Sequence, residues 1–128
     1  MQMIKMELTK AEEQLMKVLW KLERAIIRNV VDEYDDPKPA YTTVATIMKI
    51  LENKGFVDKT PIGNTYEYFP LISKKEYTKG FINRFVGKYF SNSYKSMISS
   101  LTENENLSAK EMEEIIEIFQ GQLKAKKE

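Results

Sequence analysis

Between Tyr41 and Leu71 the apolar period of the chain changes, and that change limits the folds open to it. Up to Asn53, the residues Val44, Ile47, Met48 and Leu51 recur at i, i+3, i+4 and i+7, one face of a helix. Lys54-Gly55 then closes the helix, with Gly55 suited to the left-handed position just past a helix end. Phe56 to Thr60 and Thr65 to Phe69 are rich in β-branched and aromatic residues. The turn-forming Pro61-Ile62-Gly63-Asn64 lies between them, so this stretch predicts a β-hairpin.

Upstream of that switch, LTKAEEQLMKVLWKLE opens with a capping box, Thr9 to Glu12. Ala11, Leu15, Val18, Leu19 and Leu22 follow at helical spacing, with Trp20 beside them, and predict a helix over Lys10 to Glu23. Ala25 and Ile26 suit a brief strand. Ile27, Val30, Val31 and Tyr34 suggest a second helix of about nine residues, ended by Pro37 and Pro39. Three helices followed by a two-stranded hairpin make the winged variant of helix-turn-helix. The expected fold is thus mainly α, with a winged-helix domain over residues 1–72 and a helical domain over residues 73–128.

That second part begins with another capping box, Ser73 to Glu76. Tyr77, Phe81, Ile82, Phe85, Val86, Tyr89 and Phe90 form a stripe wider than one helix can bury alone, and Ser91-Asn92 marks a break. A third box, Ser108 to Glu111, starts a last helix, where Met112, Ile115, Ile116, Phe119 and Leu123 keep helical spacing. A surface of this kind needs a partner, most simply a second copy. Tyr77, Phe81, Phe85, Tyr89, Met97, Met112, Ile115, Ile116, Phe119 and Leu123 are the candidate dimerisation residues.

Composition narrows the chemistry. There is no Cys and no His, so disulfides, thiolate catalysis and thiolate or imidazole metal sites are excluded, and no cofactor is implied. The acidic run Asp32, Glu33, Asp35 and Asp36 is the best candidate for enzyme chemistry. No other catalytic group surrounds it, so a solvated helix end is the simpler reading, and no catalytic residue is assigned. Nothing approaches about 18 consecutive apolar residues, and the amino terminus lacks a signal-peptide core, so a cytoplasmic protein without membrane insertion is expected. Residues 1–72 hold ten Lys/Arg against eleven Asp/Glu, so any nucleic-acid surface there must be local.

A local surface exists. Opposite the Val44–Leu51 stripe stand Thr42, Thr43, Thr46, Lys49 and Asn53. Threonine is a mediocre helix former, so its use here needs a reason. Its hydroxyl donates and accepts, and its methyl can meet a thymine methyl in the major groove. Lys59, Thr60 and Asn64 of the hairpin would add backbone contacts that position without reading sequence. Threonines on a solvent face also occur with no role. A winged-helix module that binds protein instead of DNA is the alternative.

LTKAEEQLMKVLW (Leu8–Trp20), YTTVATIMKILENKGFV (Tyr41–Val57), TYEYFPLISKKEY (Thr65–Tyr77) and LSAKEMEEI (Leu107–Ile115) carry a resemblance to the penicillinase-repressor family, the BlaI/MecI-like transcriptional regulators. The resemblance implies a homodimer that represses a promoter through a dyad operator in double-stranded DNA, with the third helix in the major groove. Thr43 and Thr46 match the family's recurrent recognition-helix threonines. Thr42 and Lys49 match groove-facing positions, Lys54 matches the basic residue before the helix-ending glycine, and Lys59 lies in the wing. Some members carry basic residues where this chain has Thr42, Ala45 and Ile50. Antibiotic-responsive members are cleaved after a membrane sensor protease detects a β-lactam. Their scissile Asn-Phe aligns with Ser100-Leu101, which makes that bond the candidate cleavage site although its identity has changed. Copper-responsive relatives use carboxy-terminal cysteines, which this chain lacks.

Overall fold

The computed structural model describes residues 7–128. The chain divides into two compact units, Met1–Ile82 and Asn83–Glu128. The first contains α1 (Lys10–Leu22), α2 (Ile27–Glu33), α3 (Tyr41–Asn53), β1 (Val57–Ile62) and β2 (Thr65–Pro70). The division falls inside α4 (Lys74–Tyr89), beyond the boundary expected at residue 72, because Tyr77 in α4 joins the core of the first unit. Among the described residues no helix is long and apolar enough to cross a membrane. The start of the chain, Met1 to Met6, on which the signal-peptide expectation partly rests, lies outside the described residues.

One core holds the first unit together. Leu15, Met16 and Leu19 of α1, Val30 of α2, and Val44, Met48 and Leu51 of α3 are fully buried around Phe56. Each such side chain contributes roughly 1.5–3 kcal/mol by leaving water. The Tyr77 ring meets Phe56 edge-on at 6.0 Å and lies 5.7 Å from Trp20. The Trp20 indole N–H donates to the Ile72 carbonyl at 2.8 Å. Ala11, expected in the apolar stripe, is exposed, whereas Glu12 and Met16 are buried. The stripe is therefore turned toward Met16, with a carboxylate at its amino end.

The capping box at Thr9 is complete: Glu12 N–H donates to Thr9 Oγ1 at 3.1 Å, and Thr9 N–H donates to Glu12 Oε1 at 3.0 Å. At its other end α1 stops on Glu23, whose φ is +71°. Arg24 N–H donates to the Leu22 carbonyl at 2.8 Å, closing a γ-turn on Glu23, a strained conformation that costs about 1–3 kcal/mol and brings Ala25 onto β2. Ala25 N–H donates to the Tyr68 carbonyl at 3.0 Å and Tyr68 N–H donates back at 2.8 Å. The brief strand expected at Ala25-Ile26 is this single bridge. The second helix is shorter than expected, seven residues, with Tyr34 as its cap. Its acidic end is compensated: Lys38 donates to the Asp32 and Tyr34 carbonyls, and Glu33 pairs with Lys21.

The wing is longer than the sequence suggests. Its two strands pair six residues each around a turn of only Gly63 and Asn64, not across a four-residue Pro61–Asn64 turn. Gly63 has φ +58° and Asn64 does not share it, the pattern of a type II′ hairpin. The register pairs Ile62 with Thr65, Pro61 with Tyr66 and Val57 with Pro70. Hydrogen-bonded and open pairs alternate from the turn, so both prolines fall at open pairs, where no N–H is needed between the strands.

The second unit comprises the end of α4, α5 (Tyr94–Leu101) and α6 (Ala109–Lys127). The break at Ser91-Asn92 is present, and both residues have positive φ. A Cβ at Gly87 would lie 2.9 Å from the Asn92 amide oxygen, so glycine is what lets that side chain fold back over α4. Ser93 caps α5 and Ser108 caps α6, each accepting one backbone N–H. The box at Ser108 is one-sided, since among the described contacts only the Glu111 N–H to Ser108 half is made. No residue of α5 or α6 is buried.

Candidate nucleic-acid interface

The outward side of α3 is built by subtraction. Val44, Met48 and Leu51 are fully buried and Ile47 half-buried, which leaves Thr42, Thr46, Lys49 and Asn53 at i, i+4, i+7 and i+11 on the solvent side. This stripe is about 16 Å long. Thr43 lies exposed beside it. The Thr46 hydroxyl donates to the Thr42 carbonyl at 2.9 Å. Its hydrogen is therefore committed to its own helix, and what Thr46 presents outward is a methyl group and an accepting oxygen. The Thr42 and Thr43 hydroxyls have no partner among the described residues and can donate or accept. Lys49 and Asn53 are exposed and likewise unpaired among the described residues.

The other expected contacts divide by how firmly they are held. Lys54 caps α3 and its ammonium donates to Glu12 Oε1 at 2.7 Å, with side chains 26% and 7% exposed. Burial pushes the Glu12 carboxyl up, but the hydrogen bonds from Lys54 and from the Thr9 backbone outweigh it, and the group sits below its ordinary range. Removing one partner of such a pair costs several kcal/mol, so Lys54, expected on the binding face, also ties α3 to α1.

Lys59 is held more loosely. Its ammonium is 3.4 Å from Glu52 Oε1 and 4.5 Å from the centre of the Tyr66 ring. A pair this open is worth no more than about 1 kcal/mol, so a phosphate can replace Glu52. The Thr60 hydroxyl accepts from Arg24 at 3.2 Å, and Arg24 also donates to Glu67 at 2.9 Å while lying 4.4 Å above the Phe69 ring. Arg24 thus clamps both wing strands to the end of α1. Sequence reasoning missed it, because its partners lie 36 and 43 residues away. Asn64 is exposed at the wing tip, next to exposed Ile62 and Tyr66, two residues that had also escaped notice.

Of the candidate dimerisation residues, Tyr77 is placed elsewhere. It is buried in the first unit's core and its hydroxyl donates to Glu13 at 2.9 Å. Phe81, Phe85, Tyr89, Ile116, Phe119 and Leu123 are exposed, and Met97, Met112 and Ile115 are half-buried. Within the second unit, Ile98, Leu101, Leu107, Met112, Ile115 and Phe119 line an apolar groove of about 420 Å³ between α5 and α6. Ser100 and Leu101 are exposed in the last turn of α5.

Comparison with known proteins agrees with this architecture. The methicillin resistance regulatory protein MecI of Staphylococcus aureus (strain N315) is 26% identical over 114 residues, 88% of this chain and 93% of its own length. The penicillinase repressor of Bacillus licheniformis is 26% identical over 123 residues, 95% of this chain and 96% of its own. The solution structure of the DNA binding domain of the repressor BlaI matches with a TM-score of 0.50 at 26% identity, covering 58% of this chain and 93% of that domain. The winged-helix assignment of the first unit rests on that match and on the helix order. Residues 8–121 match the family model described as penicillinase repressor, and the chain belongs to that family.

Proposed function

We propose that the protein is a sequence-specific transcriptional repressor that binds double-stranded DNA as a homodimer on a dyad operator. The observation that carries this is the exposed stripe Thr42–Thr46–Lys49–Asn53, with Thr43 beside it, on the third helix of a winged-helix unit in a family of repressors. An α-helix fits the major groove, and short hydroxyl side chains meet base edges there without excess bulk. Lys59, Thr60 and Asn64 follow on the wing as contacts to the duplex, and Lys54 acts as a positioning residue behind α3. The helices beyond the winged helix form the dimerisation domain. Their support is the continuous apolar groove of α5 and α6 and the lack of any buried residue on either helix.

Relief of repression by a membrane sensor protease would act at Ser100-Leu101. That bond lies within helix α5, so cleavage would first require its last turn to open.

Selection of bound duplexes from a random pool, followed by gel retardation, tests the reading. Thr43→Ala and Thr46→Ala are each expected to weaken the selected site by roughly 1–3 kcal/mol and to relax its base preference, as the loss of one base contact does. Affinity should fall steeply with added salt if several phosphates are met. Absence of any retarded duplex at low salt and micromolar protein would instead favour a protein-binding module.

A further inference from the structure

We propose that the hollow behind α1 binds a small aromatic carboxylic acid, with the ring laid against Trp20 and the carboxylate between Lys17 and Lys74. The site is separate from the α3 surface and does not rest on DNA binding.

Helical spacing makes one side of the hollow. Lys17, Lys21 and Arg24 stand at i, i+4 and i+7 on α1 with Trp20 among them, opposite the buried row of Leu15, Met16 and Leu19. The end of β2, at Phe69 and Pro70, and the start of α4, at Ser73 and Lys74, close the other side around a cavity of about 620 Å³. Small-molecule sites run to about 300–1,000 Å³, so the size fits. A smaller hollow of about 200 Å³, reaching Tyr77 and Phe81, shares Lys17, Trp20 and Lys74 with the first. Those three residues therefore stand where the two meet.

Charge and shape select the ligand. Four cations and one carboxylate, Glu23, line the larger hollow. Two of the cations are taken, Lys21 by Glu33 and Arg24 by Glu67. Lys17 and Lys74 are exposed and have no hydrogen bond or ion pair among the described residues, and the same holds for Glu23. Two ammoniums against one carboxylate leave a single positive charge to match, which suits a carboxylate better than a doubly charged phosphate. Glu23 lies about 9 Å along the axis from Lys17, so the acid seats at the Lys17 end. The Trp20 N–H is committed to the Ile72 carbonyl, and what the indole offers a ligand is its face. Phe69 and Pro70 extend that apolar floor.

Titration of the full chain with phenylacetate, followed by the fluorescence of its single tryptophan, tests the site. A saturable change with a Kd of about 1 mM is expected, ordinary for a ligand of about ten heavy atoms. 2-Phenylethanol, which keeps the ring, and acetate, which keeps the charge, should each bind at least about fivefold more weakly. The double variant Lys17→Gln/Lys74→Gln should lose phenylacetate affinity about tenfold. It should bind 2-phenylethanol as the parent does and keep the parent's Tm, since neither lysine holds another residue. No saturable change up to about 20 mM phenylacetate, equal binding of either control compound, or a double variant that binds phenylacetate like the parent would each overturn the site.

Discussion

Lys54→Met is expected to destabilise the first unit by about 3–5 kcal/mol, because it leaves the Glu12 carboxylate buried without its cation. The Thr9 N–H remains as one partner, which places the loss toward the lower end. Calorimetry of the full chain would read it as a fall in Tm, with the largest gap between mutant and parent near neutral pH. The pH dependence follows from the sign of the shift. The Glu12 carboxyl lies below its ordinary value of 4.5 in the folded state. Its contribution is therefore complete above that value and fades as pH falls through the folded one. The parent should lose this part of its stability on acidification below 4.5, and Lys54→Met should not. Glu12→Gln in the Lys54→Met background should recover part of the loss. A mutant as stable as the parent but weak on DNA would place Lys54 on the binding face alone.

Ile116→Asp is expected to turn the proposed homodimer into monomers. Ile116, Phe119 and Leu123 stand 54%, 57% and 53% exposed along one side of α6, a helix with no buried residue of its own. An unpaired carboxylate in the apolar seam costs about 3–5 kcal/mol, which weakens dimerisation by roughly two to four orders of magnitude. Sedimentation velocity would show one slow species at concentrations where the parent is dimeric. Because Ile116 is exposed in the protomer, the winged-helix unit should keep its melting temperature. An unaltered dimer would place the interface on the α4 aromatics instead, where Phe85→Asp is the parallel test.

Local rules account for what the sequence made legible, and distant pairings account for what it did not. α3 runs over Tyr41–Asn53 as its period and its Gly55 stop predict, because a stripe of four apolar residues and one left-handed glycine are local signals. The wing was expected too short. Pro61 looks like a turn residue in sequence, yet an open pair of a two-stranded ribbon accepts it. The capping box at Thr9 was readable, but the burial of Glu12 was not, since that depends on Lys54, 42 residues on. The burial of Tyr77 was hidden for the same reason: its partner Glu13 is 64 residues back. A polar residue on a predicted helix face carries no mark that says whether its charge is already taken. Among the candidate contacts, the exposed threonines needed only helix geometry, whereas the lysines needed the fold.

Trp20 is the only tryptophan in the chain, and it is fastened to the Ile72 carbonyl against the Tyr77 ring. Its fluorescence is thus a natural gauge of the winged helix alone, while far-ultraviolet ellipticity records every helix. If the carboxy-terminal helices melt separately, the two optical signals will part company in a denaturation series. The size of that gap measures how independently this repressor's halves hold together.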